Sequence, residues 1–401
     1  MLILLPIAAA LCTLPRWLVL GRPRFLPATG DAASADSISI IIPARDEEAN
    51  IGALLASILN QSITPREVIV VDDHSSDRTA AIAAEHGALA LAGTFNSKLS
   101  DSFARPTKVI APSRPANYTN HTAHLYIIQP PAPPPDWKGK TWACQQGAQA
   151  ASGDWFLFLD ADTRLEQGAL EKISGLTRNP GRVSSICPYH AVERPYEQLS
   201  AFFNVVMLAG INAFGIQRDP SRESALFGQC LLIHHDIYHE IGGHRSVRRE
   251  ILENFQLASH LEAHAIPRDC YLGRGTIRMR MFPGGFRELW SSWKKGFSSG
   301  AGSTAPSVLV FTSLWITGAM LACAALAFMP FATPVYQFAS AAAYLFCAVH
   351  CLFAFRLAGS FSLLNALFFP VSLFFYQTLF FTSVIERRLG IKTRWKGRHV
   401  D

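Results

Sequence analysis

A chain of 401 residues can hold one sizeable α/β domain with membrane elements, or two domains. It is 49% hydrophobic and only 16% charged, against about 25% charged in a typical soluble chain, and its apolar residues gather at the two ends. The net charge of +6 fits a membrane inner-face bias, and no basic stripe interleaved with aromatics points to nucleic acid as a partner.

Residues 1–24 read as an N-terminal membrane anchor. The first twenty are almost wholly apolar, and Arg16, Arg22 and Arg24 cluster at the end of the segment. A cleavable signal peptide carries its positive charge first, so a signal-anchor with its N-terminus outside fits better. Pro15 keeps interfacial anchoring open as the alternative.

From residue 37 the pattern changes to alternating strands and helices. The run 38–42 is continuously apolar, as a central parallel strand is, and Pro43 ends it. A helix over 47–59 carries Ile51, Leu54, Leu55 and Ile58 at helical spacing. A second strand, 68–71, stops at Asp72-Asp73, and another helix begins near Asp77. Between 93 and 135 the rhythm breaks into an Asn/Ser/Thr/Pro-rich insertion, a surface excursion or a lid. A strand over 125–128, a helix over 140–151 and a strand over 155–159 follow. This order predicts an α/β fold, a mainly parallel sheet with helices on both faces.

In such sheets ligands bind at the carboxyl ends of the strands. Pro43-Ala44-Arg45, Asp72-Asp73 and Asp160-Ala161-Asp162 all fall on that edge. Paired carboxylates after a buried strand suit a Mg2+ or Mn2+ ion held against a diphosphate. Helix capping would use only one of them. No GxGxxG or GxxxxGK[ST] run opens a helix, which disfavours a dinucleotide or P-loop site. The eight cysteines form no CxxC pair and read as ordinary buried thiols, not a zinc site or a disulfide framework.

Two further segments suit a membrane surface. Residues 201–214 are apolar but too short to span reliably. Residues 286–297 set Trp290 and Trp293 beside Lys294 and Lys295, as interfacial helices do. Beyond them, 306–385 contains three apolar stretches, 306–329, 334–357 and 362–385, each about long enough to cross a hydrocarbon core of roughly 30 Å. Pro370 interrupts the last. The tail, 386–401, is basic, and positive-inside bias conflicts with three full crossings if the catalytic domain is cytoplasmic. The expectation is a multi-pass protein of the cell (inner) membrane with two to four true spans and a cytoplasmic catalytic domain.

Over about 37–302 the chain resembles glycosyltransferase family 2. The segments that carry the likeness are Ile41-Ile42-Pro43-Ala44-Arg45-Asp46-Glu47-Glu48, Trp137-Lys138-Gly139-Lys140, Pro188-Tyr189-His190, Phe203-Asn204, Gly242-Gly243-His244 and Ser299-Gly300-Ala301-Gly302. Within the family it resembles the 4,4'-diaponeurosporenoate glycosyltransferase group of staphyloxanthin-type carotenoid synthesis. The resemblance implies a GT-A type, Rossmann-like fold, a UDP-sugar donor and an inverting, metal-dependent hexosyl transfer at a membrane. It also implies donor binding by Pro43, Arg45, Asp46, Glu47, Asp72, Asp73 and Asp160, with Asp160 and Asp162 at the metal–diphosphate site. Lys138 and Lys140 add positive charge near the phosphates or are solvated surface lysines. His190, His244, Trp290 and Trp293 are candidate acceptor contacts, the histidines having a core or loop role as the alternative. His234, His235 and His239 fit no ligand set with the Asp pair.

Many family members place Glu-Asp before a helix, the Asp serving as general base for an alcohol. Here Asn254 stands at that position, after Glu253. A hydroxyl nucleophile needs a base, whereas a carboxylic acid is already ionised near pH 7. The substitution therefore points to a lipid carboxylate, a carotenoid acid, as acceptor, with Glu253 as orienting group or weak base and Glu250 as second candidate. A hopanoid or polyprenyl-phosphate acceptor is the alternative, and a non-catalytic membrane scaffold the reading from another class. The Gln-x-x-Arg-Trp motif of processive members is missing from 286–290.

Overall fold

The computed structural model describes residues 3–27, 35–91, 124–216, 226–250, 253–300, 305–389, 394–395 and 398–399. The chain forms two units: Arg24–Pro188 with Ala225–Met279, and Met1–Pro23 with Tyr189–Ser224 and Arg280–Asp401.

In chain order, α1 (Leu4–Thr13) and α2 (Arg16–Leu20) come first, then β1 (Ile38–Ala44), α3 (Ile51–Leu59), β2 (Glu67–Asp72) and α4 (Thr79–Glu85). β3 (Leu89–Ala90), β4 (His124–Ile128), α5 (Gly139–Ala150), β5 (Trp155–Leu159), β6 (Thr163–Leu165), α6 (Ala169–Ser174) and β7 (Val183–Cys187) follow. Next are β8 (Tyr189–His190), α7 (Ala201–Gly210), β9 (Cys230–His234), α8 (His235–Glu240), α9 (Glu253–Ala263), β10 (Arg268–Leu272) and β11 (Ile277–Met279). The chain continues through α10 (Phe286–Gly300), α11 (Pro306–Ala327), α12 (Pro334–Ala358), α13 (Leu363–Leu367) and α14 (Phe369–Arg388).

The first unit is built on an eight-stranded sheet in the order β10-β7-β9-β5-β1-β2-β4-β3. Its centre is parallel, β1 pairing with β2 and β5, because those strands are apolar at almost every position and are covered on both faces. β9 runs antiparallel between β5 and β7, so the sheet is mixed. Alternation along the strands divides the core. Ile40, Ile42, Val68 and Val70 pack with Leu54, Leu55 and Ile58 of α3 and Ala83 of α4. On the other face α5 lies so close that a Cβ on Gly147 would collide with Ile41 and crowd Val71. β6 and β11 add a small antiparallel ribbon. Of the expected insertion, residues 93–123 lie outside the described residues, and 124–128 form β4.

The second unit is helical. α11, α12 and Phe369–Glu386 of α14 are long and apolar enough to cross a membrane, and the chain is a multi-pass membrane protein. Their outward faces carry large exposed apolar side chains, among them Phe338, Phe353 and Phe374. The third apolar stretch is broken at Phe368, and Pro370 lies in the first turn of the new helix, where proline is tolerated. Residues 201–214 contain α7, whose side chains are buried among the helices of this unit. Phe202 of α7 stacks on Trp315 at 5.2 Å, and Phe203 meets Tyr376 at 4.8 Å.

Candidate active site

The register of the parallel strands creates the site. Ala44 pairs with Asp72, so Arg45, Asp73 and the residues after β5 all emerge at one edge. Pro43 is still within β1, opposite Val71. Asp73 donates its N–H to the Ala44 carbonyl at 2.8 Å, and its Oδ2 lies 3.1 Å from Arg45 Nη1. The same carboxylate sits against Gly139 at the start of α5, where a Cβ would strike it. Asp73 Oδ1 is buried and has no hydrogen-bond partner. Asp72 has a turn-forming role: its Oδ1 accepts from the Ser75 N–H at 2.9 Å and its Oδ2 from Gln129 Nε2 at 3.2 Å.

The loops after β1 and β2 are laced together. Asp46 Oδ1 accepts from the N–H and hydroxyl of Ser76, and these bonds hold its carboxyl below the usual range. Asp46 N–H donates to Ser75 Oγ, Glu47 N–H to Thr79 Oγ1 and Glu48 N–H to Asp77 Oδ2, while Glu48 accepts from Arg78 N–H. Asp46 and His74 are left-handed, at φ 54° and 55°.

Beside these loops lies a compact charge cluster. Lys140 Nζ is 2.8 Å from Asp160 Oδ1, 3.0 Å from its Oδ2 and 3.3 Å from Glu253 Oε1. Burial disfavours the ammonium, but Asp160 and Glu253 outweigh it and raise the lysine's pKa. Asn254 Nδ2 reaches Glu253 Oε1 at 3.4 Å. Asp162 is different: its Oδ1 is buried without a partner. Burial, then the neighbouring charges of Asp160 and Glu47, raise its carboxyl to about 7. An orphaned carboxylate oxygen next to a second carboxylate is a hard-oxygen donor set, and it fits Mg2+ or Mn2+.

The other sequence candidates each have surroundings of their own. Lys138 is exposed and lines a pocket of about 380 Å3 with Pro135, Asp136, Trp137 and Arg249. Glu250 is exposed. His244 is 4% exposed, with its Nδ1 2.9 Å from the Tyr238 hydroxyl and its ring against Phe158, and burial pushes its pKa down to about 3. In the helical unit His190 is 1% exposed, its Nε2 3.4 Å from Ser200 Oγ, and burial lowers it to about 4. Trp290 packs on Phe375, and Trp293 stacks on Phe203 at 4.7 Å.

Two groups at the edge escape sequence reasoning. Asp160 N–H donates to the Gln229 carbonyl at 3.0 Å, and Gln229 Oε1 is buried without a partner. Arg164 Nη2 reaches Asn50 Oδ1 at 3.3 Å, and the charge of Asp162 acts on its guanidinium. Gln229 arrives through the antiparallel pairing of Leu159 with Cys230, which no local pattern encodes. A candidate metal-coordinating cluster, His234, His235 and Asp236, has its ligand atoms within 4.8 Å of one another. Because His234 pairs with Trp155, that cluster lies at the amino end of β5, opposite Asp160.

The family description "Glycosyl transferase family 2" matches residues 39–100 and 135–254. The chain is similar to 4,4'-diaponeurosporenoate glycosyltransferase of Staphylococcus aureus strain USA300, at 31% identity over 366 residues, 90% of this chain and 88% of the relative. Among solved structures, a mannosyltransferase from Pyrobaculum calidifontis in complex with GDP-Man and Mn2+ aligns at 16% identity and a TM-score of 0.46, covering 98% of this chain and 100% of that one. Glucosyl-3-phosphoglycerate synthase of Mycobacterium tuberculosis aligns at 17% identity and a TM-score of 0.36, over 67% and 81%.

Proposed function

The chain belongs to glycosyl transferase family 2 and is a glycosyltransferase, and from that premise we propose that it transfers a hexose, glucose, from a UDP-sugar to the carboxylate of a membrane lipid. The acceptor in this reading is a carotenoid acid and the product a glycosyl ester. The relative named above, 31% identical over most of both chains, supports a carotenoid acid.

The observation that carries the acceptor class is the pair Glu253–Asn254. The Asn254 amide cannot take a proton at neutral pH. Glu253 Oε1 is already shared between Lys140 at 3.3 Å and Asn254 at 3.4 Å, so it is committed to holding the cluster together. An acceptor that arrives ionised avoids the need for a base. Its carboxylate oxygen forms the new bond to the anomeric carbon, the bond from that carbon to the diphosphate oxygen breaks, and UDP leaves with the electron pair. Attack from the face opposite the leaving group inverts the anomeric centre.

In the same reading Asp73, Arg45, Asp46 and Glu47 hold the nucleoside end of the donor. Asp160 and Asp162 hold a divalent cation, which supplies charge neutralisation to the leaving diphosphate. Lys140 orients Asp160 and adds positive charge beside it. The catalytic domain faces the cytoplasm, and Trp290 and Trp293 contribute apolar surface for the acceptor chain.

Alkali treatment of the product separates the possibilities, because an ester is cleaved and an acetal survives. Release of the sugar by mild base is the expected result, and a base-stable product overturns the carboxylate reading. An Asn254→Asp variant adds a second check. It is expected to gain activity on a hydroxyl-bearing lipid, and unchanged acceptor selectivity counts against the role given to Asn254.

A further inference from the structure

Among the described residues of the helical unit is a buried cation that the transfer reaction does not use. Arg16, at the start of α2, is 1% exposed. Its Nε donates to Nδ1 of His350 on α12 at 3.5 Å, a long bond to a group that carries no negative charge in this role. Its Nη2 is buried and has no partner. Among the described residues no carboxylate pairs with it. One turn away Thr13 Oγ1 bonds Cys347 Sγ at 3.0 Å, which fixes α1 against α12. A guanidinium held among apolar helices without a counter-ion is costly, and intramembrane ionisable groups mark binding sites.

The surroundings indicate what supplies the missing charge. The Trp17 ring covers the guanidinium at 4.3 Å from its centre and meets His350 edge-on at 5.9 Å. Trp17 is itself 42% exposed, and Leu14 and Leu18 beside it are exposed apolar side chains. A rotation of Trp17 therefore opens Arg16 toward an apolar exterior. The ligand must combine an anion with acyl chains that lie along Leu14 and Leu18. A planar guanidinium fork matches phosphate oxygens in pairs, and a tryptophan at headgroup level is a common interfacial anchor.

We propose that Arg16, with His350 and with Trp17 as its cover, forms a binding site for the phosphate group of an anionic membrane phospholipid. A bound phospholipid then acts as the counter-ion that keeps α2 docked on α12. The site is separate from the transfer chemistry and stands whatever the acceptor proves to be.

The full-length protein in nanodiscs provides the test. Thermal midpoints are compared in phosphatidylcholine, whose choline cation offsets its own phosphate and competes with the guanidinium for it, and with added phosphatidylglycerol, in about 0.5 M salt so that exposed charges are screened. Wild type is expected to gain about 4 °C or more from phosphatidylglycerol, as a ligand that binds only the folded state confers. Arg16→Met is expected to lose that gain, yet to match or exceed wild type in phosphatidylcholine, since it removes an unpaired buried charge. Retention of the gain by Arg16→Met overturns the site, and so does a wild type indifferent to phosphatidylglycerol, a comparison that needs no variant to fold. Inorganic phosphate forms the third arm. An equal gain from millimolar phosphate in phosphatidylcholine discs shows that a free ion suffices and overturns the lipid assignment.

Discussion

The two units place charged and polar groups differently. In the sheet unit one set converges on a single edge, where Arg45, Asp73, Lys140, Asp160, Asp162 and Glu253 follow strands or open helices. In the helical unit they are scattered and join helix to helix: Thr13 to Cys347, Lys294 to Glu386 at 2.6 Å, Tyr336 to the Ala325 carbonyl. Charge concentrated at strand ends can bind and polarise a ligand. Polar contacts spread through an apolar bundle fix helix packing instead. If that contrast is right, substitutions at that edge act on turnover and those in the second unit on stability.

The sharpest test is Asp162→Asn, which removes the orphaned carboxylate beside Asp160. UDP release in membranes is expected to fall at least about 100-fold, and chelation of divalent cations is expected to have a comparable effect on wild type. A variant with full activity breaks the contrast at its strongest point. Next comes Glu253→Gln, expected to lower kcat by roughly tenfold while the thermal midpoint changes little, because the amide keeps the shape and loses only the charge that holds Lys140. A loss of stability without a loss of turnover would move Glu253 to a purely structural role.

The strand ends were legible in the sequence because central parallel strands are apolar throughout, so the first polar residue after each marks the edge. Arg45, Asp73 and Asp160 are found this way. Contacts that depend on the third dimension were not. Gln229 reaches the edge just before an antiparallel strand, and Glu253 meets Lys140 across more than a hundred residues of chain. The partners of α7 are hidden in the same way: composition marks 201–214 as apolar, but the rings that meet Phe202 and Phe203 come from distant helices.

A smaller effect is expected away from the edge. Asp269 in β10 is held by Arg24 and Arg182, each at 2.6 Å. Burial opposes its charge, but the two guanidinium groups win and lower its pKa to about 2. A depressed carboxylate pKa contributes stability above the unfolded value near 3.9, and that contribution is lost as pH falls toward 2. Asp269→Asn should therefore cost about 2 kcal/mol at pH 7, and the difference from wild type should close in a denaturation series below about pH 3. The smallest effect belongs to Lys294→Ala. Its ion pair with Glu386 is partly exposed, so a stability change below about 1 kcal/mol and unaltered turnover are expected. A large loss of activity there would show that the helical unit takes part in the chemistry.

The interlocked loops after β1 and β2 have a consequence for how such an enzyme can diverge. Backbone and side chain of 46–48 bind 75–79, and 78 binds back to 48, so neither loop has a conformation of its own to vary. A substitution in one alters the fit of the other. Changes in what this edge accepts should thus come as paired replacements, and a library that randomises both loops together should yield altered donor preference more often than one that scans either alone.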